Sequence, residues 1–188
     1  MKAMNDSVSL LKHLLTLGVS NQTVRNAASE DIRRAVRFHC RAHGLMDKPL
    51  FTGDEVFRLI PQRAPIVMVD TLLDATDTEA NTALTVAPDN LFCADGHLRE
   101  PGLIEHIAQS AAAFAGFSTY KQGLPPKLGY IGEIKKMRIE HLPAVGDTLH
   151  THLTILGEAA GITLLAAETK VADTIVAAGQ MKIFIKND

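Results

Sequence analysis

The spacing of apolar positions changes twice along this chain. Over residues 6–18, Leu10, Leu11, Leu14, Leu15 and Leu17 recur at helical spacing and stop near Gly18. Residues 29–43 follow the cap candidate Ser29 and place Ile32, Val36, Cys40 and His43 on one stripe, with Gly44 as a C-terminal stop. Thr52-Gly-Asp-Glu55 is a capping-box signature that opens a short helix to about Leu59, ended by Pro61. From there the pattern turns to strands. Residues 65–75 and 79–87 form a predicted hairpin joined near Asp77. Four further strands are predicted at about 128–141, 147–157, 161–171 and 174–186. Turn residues at Pro143–Asp147, Gly157–Gly161 and Ala172-Asp173 separate them. In the stretch HTHLTILGE, alternation puts His150, His152 and Thr154 on one face and Thr151, Leu153 and Ile155 on the other.

Between the two strand groups lies a helix predicted from Pro101 to about Tyr120, stopped by Gly123 and Pro125-Pro126. Apart from Glu105, His106, Gln109 and Ser110, everything from Pro101 to Phe117 is apolar or glycine. A helix apolar all round belongs in a core or a membrane. This one carries Glu and Gln and falls short of a bilayer span. The order strand, strand, helix, four strands is that of an α+β fold. One apolar face of an antiparallel sheet needs cover, and only one long helix is available. The simplest solution curves one sheet around it. Ala108, Ala111, Ala112, Ala115 and Gly116 would let backbone and sheet approach closely.

Composition adds a boundary. The chain has 188 residues, 46% hydrophobic and 21% charged, enough for one domain with a sizeable core. Residues 1–48 hold 8 Lys/Arg against 4 Asp/Glu, while 49–188 hold 11 against 17. The contrast predicts a helical extension at 1–48 attached to a body at 49–188. Arg33, Arg37 and Arg41 make a basic ridge on the extension. Such a ridge is ordinarily a solvated face; the alternative is a dock for an acidic partner. Nothing aromatic interleaves with it, so nucleic acid is not expected. Lys12 and His13 interrupt the leucines near the N-terminus, which favours an amphipathic helix over a signal peptide. Cys40 and Cys93 lack metal-ligand spacing and suggest reduced thiols in a cytoplasmic protein.

Candidate chemistry gathers at the start of the long helix. Glu is rarely buried without a partner. Gln109 lies four residues on from Glu105, on the same face. The helix N-terminus offers free N–H groups and partial positive charge to a carboxylate or to a carbonyl gaining charge. With His97 in the preceding loop, these parts suit acid–base chemistry beside a thioester or similar carbonyl. The plainer readings make Glu105 a paired structural carboxylate or interface residue, His97 a simple loop histidine and His106 a structural side chain. His150 and His152 lack further ligands at metal spacing. No metal and no cofactor are expected.

The stretches LIPQRAPIVMVD (59–70) and LREPGLIEHIAQSAAAFAG (98–116) resemble the 3-hydroxyacyl-acyl-carrier-protein dehydratases of the hot-dog superfamily. Asn90-Leu-Phe-Cys-Ala-Asp-Gly96, running straight towards the helix, is closer to their short-loop branch associated with aryl polyene and flexirubin clusters. The resemblance covers roughly residues 54–186. It implies a hot-dog fold, a homodimer building each site from two subunits, and acyl carrier protein as partner. Glu105 matches the catalytic acid and Gln109 its support. Gly102 and Leu103 would offer N–H groups to the thioester carbonyl, and His97 is the candidate base. Two features depart from the fatty-acid enzymes: Gln62 stands where their opening has histidine, and the loop between His97 and Glu105 is shorter. The expected reaction is dehydration of a 3-hydroxyacyl thioester to the trans-2-enoyl thioester. A thioesterase and a non-catalytic acyl-binding or partner subunit are the alternatives.

Overall fold

The computed structural model describes residues 48–185. The helices expected at 6–18 and 29–43, the Arg33–Arg37–Arg41 ridge and Cys40 lie outside the described residues.

Strand β1 (Phe51–Thr52) leads into a 3-10 turn over Gly53–Arg58. Glu55 Oε2 accepts the N–H of Thr52 at 3.2 Å, as the capping-box motif requires. Pro61 keeps the 3-10 turn from continuing. Next come β2 (Thr71–Ala75) and β3 (Glu79–Thr85), the expected antiparallel hairpin. Strand β2 begins six residues later than the sequence suggests. The backbone of 66–68 is held by side chains instead of a strand: Gln109 Nε2 donates to Ile66 O at 2.6 Å. Gln109 Oε1 accepts the Met68 N–H at 2.7 Å, and His106 Nδ1 lies 2.6 Å from Met68 O.

The loop before the helix folds into a small hairpin of β4 (Cys93–Ala94) and β5 (His97–Leu98). Asp95 and Gly96 at its tip have φ of 50° and 74°. A two-residue turn with both positions left-handed matches the right-handed twist of its strands, and Asp-Gly tolerates it best. Helix α1 then spans Glu100–Lys121. Strands β6 (Gly129–Ile139), β7 (Thr148–Ala159), β8 (Ile162–Val171) and β9 (Thr174–Ile185) follow, close to their expected limits. Seven strands of the described residues make one sheet in the order β1-β2-β3-β7-β8-β9-β6, every neighbouring pair antiparallel.

Leu103 and Ile107 of α1 are fully buried with Met68, Leu72, Leu149, Leu153 and Met181. Each such side chain contributes about 1.5–3 kcal/mol by leaving water. The alternation expected in β7 holds, with Leu149, Thr151 and Leu153 buried and His150 and His152 half-buried. The small residues of α1 divide into two uses. A Cβ on Gly116 would come within 1.9 Å of Leu59 O, so this glycine admits the backbone of 59–60 against the helix. Ala108, Ala112 and Ala115 instead leave open space beside β6. Strand β6 is a sheet edge, exposed along most of its length. Tyr130, Ile131 and Ile134 are its exposed apolar residues, and Lys136, at φ 52°, marks a bulge in its second half.

Candidate active site

Glu105 lies one turn into α1 and is half-buried rather than sealed. Its Oε1 accepts a hydrogen bond from Gln109 Nε2 at 2.7 Å. Gln109 is fully buried, and all its bonds are directed. Its amide nitrogen serves Ile66 O and Glu105 Oε1, and its amide oxygen takes the Met68 N–H. The glutamine therefore ties the carboxylate to the 66–68 backbone. With Oε1 committed as an acceptor, Oε2 is the oxygen that can carry and release a proton.

His106 stands behind this arrangement. It is fully buried, with Nδ1 against Met68 O and Nε2 2.7 Å from Thr151 Oγ1. A carbonyl only accepts, so Nδ1 carries the hydrogen and Nε2 accepts from the Thr151 hydroxyl. Thr169 Oγ1 lies 2.8 Å from Thr151 Oγ1 and continues the chain. Burial pushes the imidazole pKa down to about 4, despite the Met68 bond and the nearby Asp70 charge. His106 is thus neutral near pH 7 and works as a brace.

A cleft of about 110 Å³ opens beside Glu105, with Gln62, Ala108, Ala112, Tyr130 and Ile131 among its lining. Gln62 Oε1 is buried and accepts no hydrogen bond from a described residue. The fold so brings Gln62, Glu105 and Gln109 to one place. It does not bring His97 there within a single chain. His97 sits exposed on the β4–β5 hairpin, Nδ1 2.9 Å from Asp95 O, and does not line the cleft. The N–H groups of Gly102 and Leu103 also turn elsewhere, returning to Arg99 O at 2.9 and 3.2 Å. Gly102 has a packing reason: a Cβ there would meet Leu98 and Phe92 at 2.6 and 2.7 Å. Leu103 is a core residue.

Sequence reasoning did not pick out the Met68 backbone, Thr151 or Thr169. Thr151 did leave a trace, since alternation placed a hydroxyl among leucines on the inner face of β7. Burial raises the Cys93 thiol pKa, and Sγ rests 3.8 Å from Ala87 O. Among the described residues, no group of three or more His, Cys, Asp and Glu could hold a metal ion. No helix among them is long and apolar enough to cross a membrane.

A family model of the ApeP-like dehydratases matches residues 55–188, which contain every group described above. The chain belongs to the ApeP-like dehydratase family. Dehydration is thus its class of activity. Curated relatives include the 3-hydroxyacyl-[acyl-carrier-protein] dehydratase FabZ of Shewanella woodyi, 28% identical over 144 residues. That match covers 72% of this chain and 94% of the relative. The enzyme of the same name from Pseudoalteromonas translucida is 28% identical over 133 residues, covering 68% and 88%. Among solved structures, a chain of the dehydratase heterocomplex ApeI:P from Xenorhabdus doucetiae aligns with TM-score 0.67. It covers 76% of this chain and 93% of that one at 21% identity. The fold is the hot-dog arrangement of one helix held in a curved sheet.

Proposed function

We propose that the chain dehydrates a 3-hydroxyacyl thioester carried on acyl carrier protein, giving the trans-2-enoyl thioester, in a site built by two subunits. The observation that carries the reading is Glu105, held by Gln109, facing the same cleft as Gln62. The curated FabZ relatives, named for this substrate, support it. In this scheme a base removes the C2 proton and the C–H electrons form the C2–C3 double bond. The C3–O bond breaks, and Glu105 gives its Oε2 proton to the departing hydroxyl, which leaves as water. The 3-hydroxyl can donate to Gln62 Oε1 before it leaves, which fixes its orientation. His97 is the proposed base. Its exposed place on the hairpin, outside the cleft of its own chain, supports delivery to the Glu105 of a second subunit.

The second subunit is proposed to be another copy, paired along the apolar half of the β6 edge. The named heterocomplex among the structural neighbours makes a related but different chain the other possible occupant. Light scattering of the purified protein separates the two. A dimer supports the proposal. A monomer that pairs only with a second dehydratase chain replaces it. A cytoplasmic location fits a carrier-protein substrate.

Glu105→Gln tests the chemistry. It keeps shape and hydrogen bonding but removes proton transfer, so turnover should fall about 10²- to 10⁴-fold. Binding of the thioester and the melting temperature should change little. A purely structural Glu105 would show the opposite: turnover retained and stability lowered by about 1–3 kcal/mol. Enoyl formation, not release of free acid, should be the product signal; free acid alone would identify a thioesterase.

A further inference from the structure

His97 stands on a hairpin whose strands are two residues long, and a hairpin of that size is marginal by itself. A third backbone partner comes from the loop between β6 and β7. Leu98 N–H donates to Pro143 O at 2.8 Å, and Val145 N–H donates to Gly96 O at 2.9 Å. His97 itself pairs with Ala144 as an isolated antiparallel bridge. The main chain is thus tied on both sides of His97. The loop is in turn fastened to the end of β3. Gly146 N–H donates to Val86 O and Val86 N–H to Asp147 O, both at 2.9 Å, and Val86 is buried. One side chain closes the arrangement. Asp147 Oδ2 accepts the Ala144 N–H at 2.8 Å, while Asp147 N–H donates to Ala144 O at 3.1 Å. The turn over residues 144–147 is therefore bonded from both ends.

Resting on the dehydratase reading above, in which His97 is the base, we infer that Asp147 is a positioning residue of the reaction: its carboxylate fixes Ala144, and the 143–145 backbone fixes His97. Asp147 acts only through these neighbours. The ring of His97 depends on the same backbone. Its Nδ1 lies 2.9 Å from Asp95 O; a carbonyl only accepts, so Nδ1 carries the hydrogen and Nε2 keeps the lone pair that a base needs. Asp95 and Gly96 form the tip of the hairpin, and Gly96 O is held by Val145. A shift of the 143–145 backbone therefore moves both the ring and the carbonyl that sets its hydrogen. What Asp147 supplies is one acceptor for one N–H. Asparagine offers an acceptor at the same reach, whereas alanine offers none.

The test measures kcat and KM of the full chain with a 3-hydroxyacyl thioester on carrier protein. Asp147→Ala and Asp147→Asn are compared, each alone and combined with His97→Ala. A reacting group misplaced by about 1 Å can cost about 10²-fold, so Asp147→Ala should lower kcat about 10- to 100-fold with KM little changed. Asp147→Asn should keep most of the activity. In the His97→Ala background the alanine at 147 should cost nothing further, because the group it positions is gone. Asp147→Ser, which keeps a shorter acceptor, takes the place of the alanine variant if that one does not fold, with a smaller loss expected. Unchanged kcat in the folded variant, no rescue by asparagine, or an equal loss with and without His97 overturns the positioning role and leaves the dehydratase reading intact. Full turnover by His97→Ala overturns the base assignment and this inference with it. Absence of turnover in the wild-type protein overturns the inference and the dehydratase reading together.

Discussion

At the scale of single residues, the site depends on a histidine that does no chemistry of its own. His106 is held neutral by burial, its pKa pushed down to about 4 from the usual 6.5. Between those values the unfolded chain binds a proton that the folded chain refuses, so acidification destabilises the fold. Stability from this group is complete above pH 6.5, declines as pH falls towards about 4, and changes no further below. The gap is worth about 3 kcal/mol. Urea unfolding from pH 7 to 4 should show this loss in the wild-type protein. His106→Asn keeps a donor towards Met68 O and has no proton to gain, so its curve should be flatter by that amount. Parallel curves would mean that other groups set the acid sensitivity. The pairing of Glu105 with Gln109 was legible in the sequence, because i,i+4 spacing on a helix leaves few alternatives. The bracing of that pair was not legible, since three of its bonds fall on main-chain atoms of residues 66–68, whose side chains carry no signal of it.

At the scale of elements, one segment shows where pattern reading stops. Residues 65–70 carry an apolar run like a strand's, but Gln109 and His106 supply hydrogen bonds to its backbone that a neighbouring strand would give. An apolar run reports that a segment is buried; it says nothing about what pairs with the backbone. The opposite case is the β4–β5 hairpin, which sequence reasoning did not pick out, because its strands are two residues long, too short for periodicity to register. The small residues of α1 were legible as a close approach. Their division between a contact at Gly116 and a cleft along the alanines needs coordinates. Gly116→Ala tests the contact. The added methyl meets Leu59 O and must push α1 away, costing about 1–3 kcal/mol. Differential scanning calorimetry should record a melting temperature several degrees lower. An unchanged transition would show that the packing there is loose.

At the scale of the whole molecule, the curved sheet around one helix was readable because few arrangements cover a run of antiparallel strands with one apolar helix. The buried core of the described residues runs from Phe51 to Met181. A chain beginning at Pro49 is therefore expected to fold and to pair as the full chain does; insoluble protein would assign residues 1–48 a share in the core. Pairing itself should fail when a charge enters the apolar half of β6. Ile134→Glu is expected to give folded monomer by light scattering and to lose activity with it, whereas a dimer would place the interface elsewhere.

The two ends of the sheet differ in a way that limits what the protein can build. One end is β6, eleven residues long; the other is β1, of only two. A very short edge strand offers little backbone to an incoming chain. Under the proposed β6 pairing, growth by adding strands would occur on one side only, and that side would be used up by its first partner. Edge-to-same-edge pairing closes on itself as a two-fold assembly and cannot propagate into a fibre. On that pairing, the same limit would make identical and non-identical partners rivals for a single strand. The proportion of each assembly in a cell would then be set by the relative abundance and affinity of the competing chains.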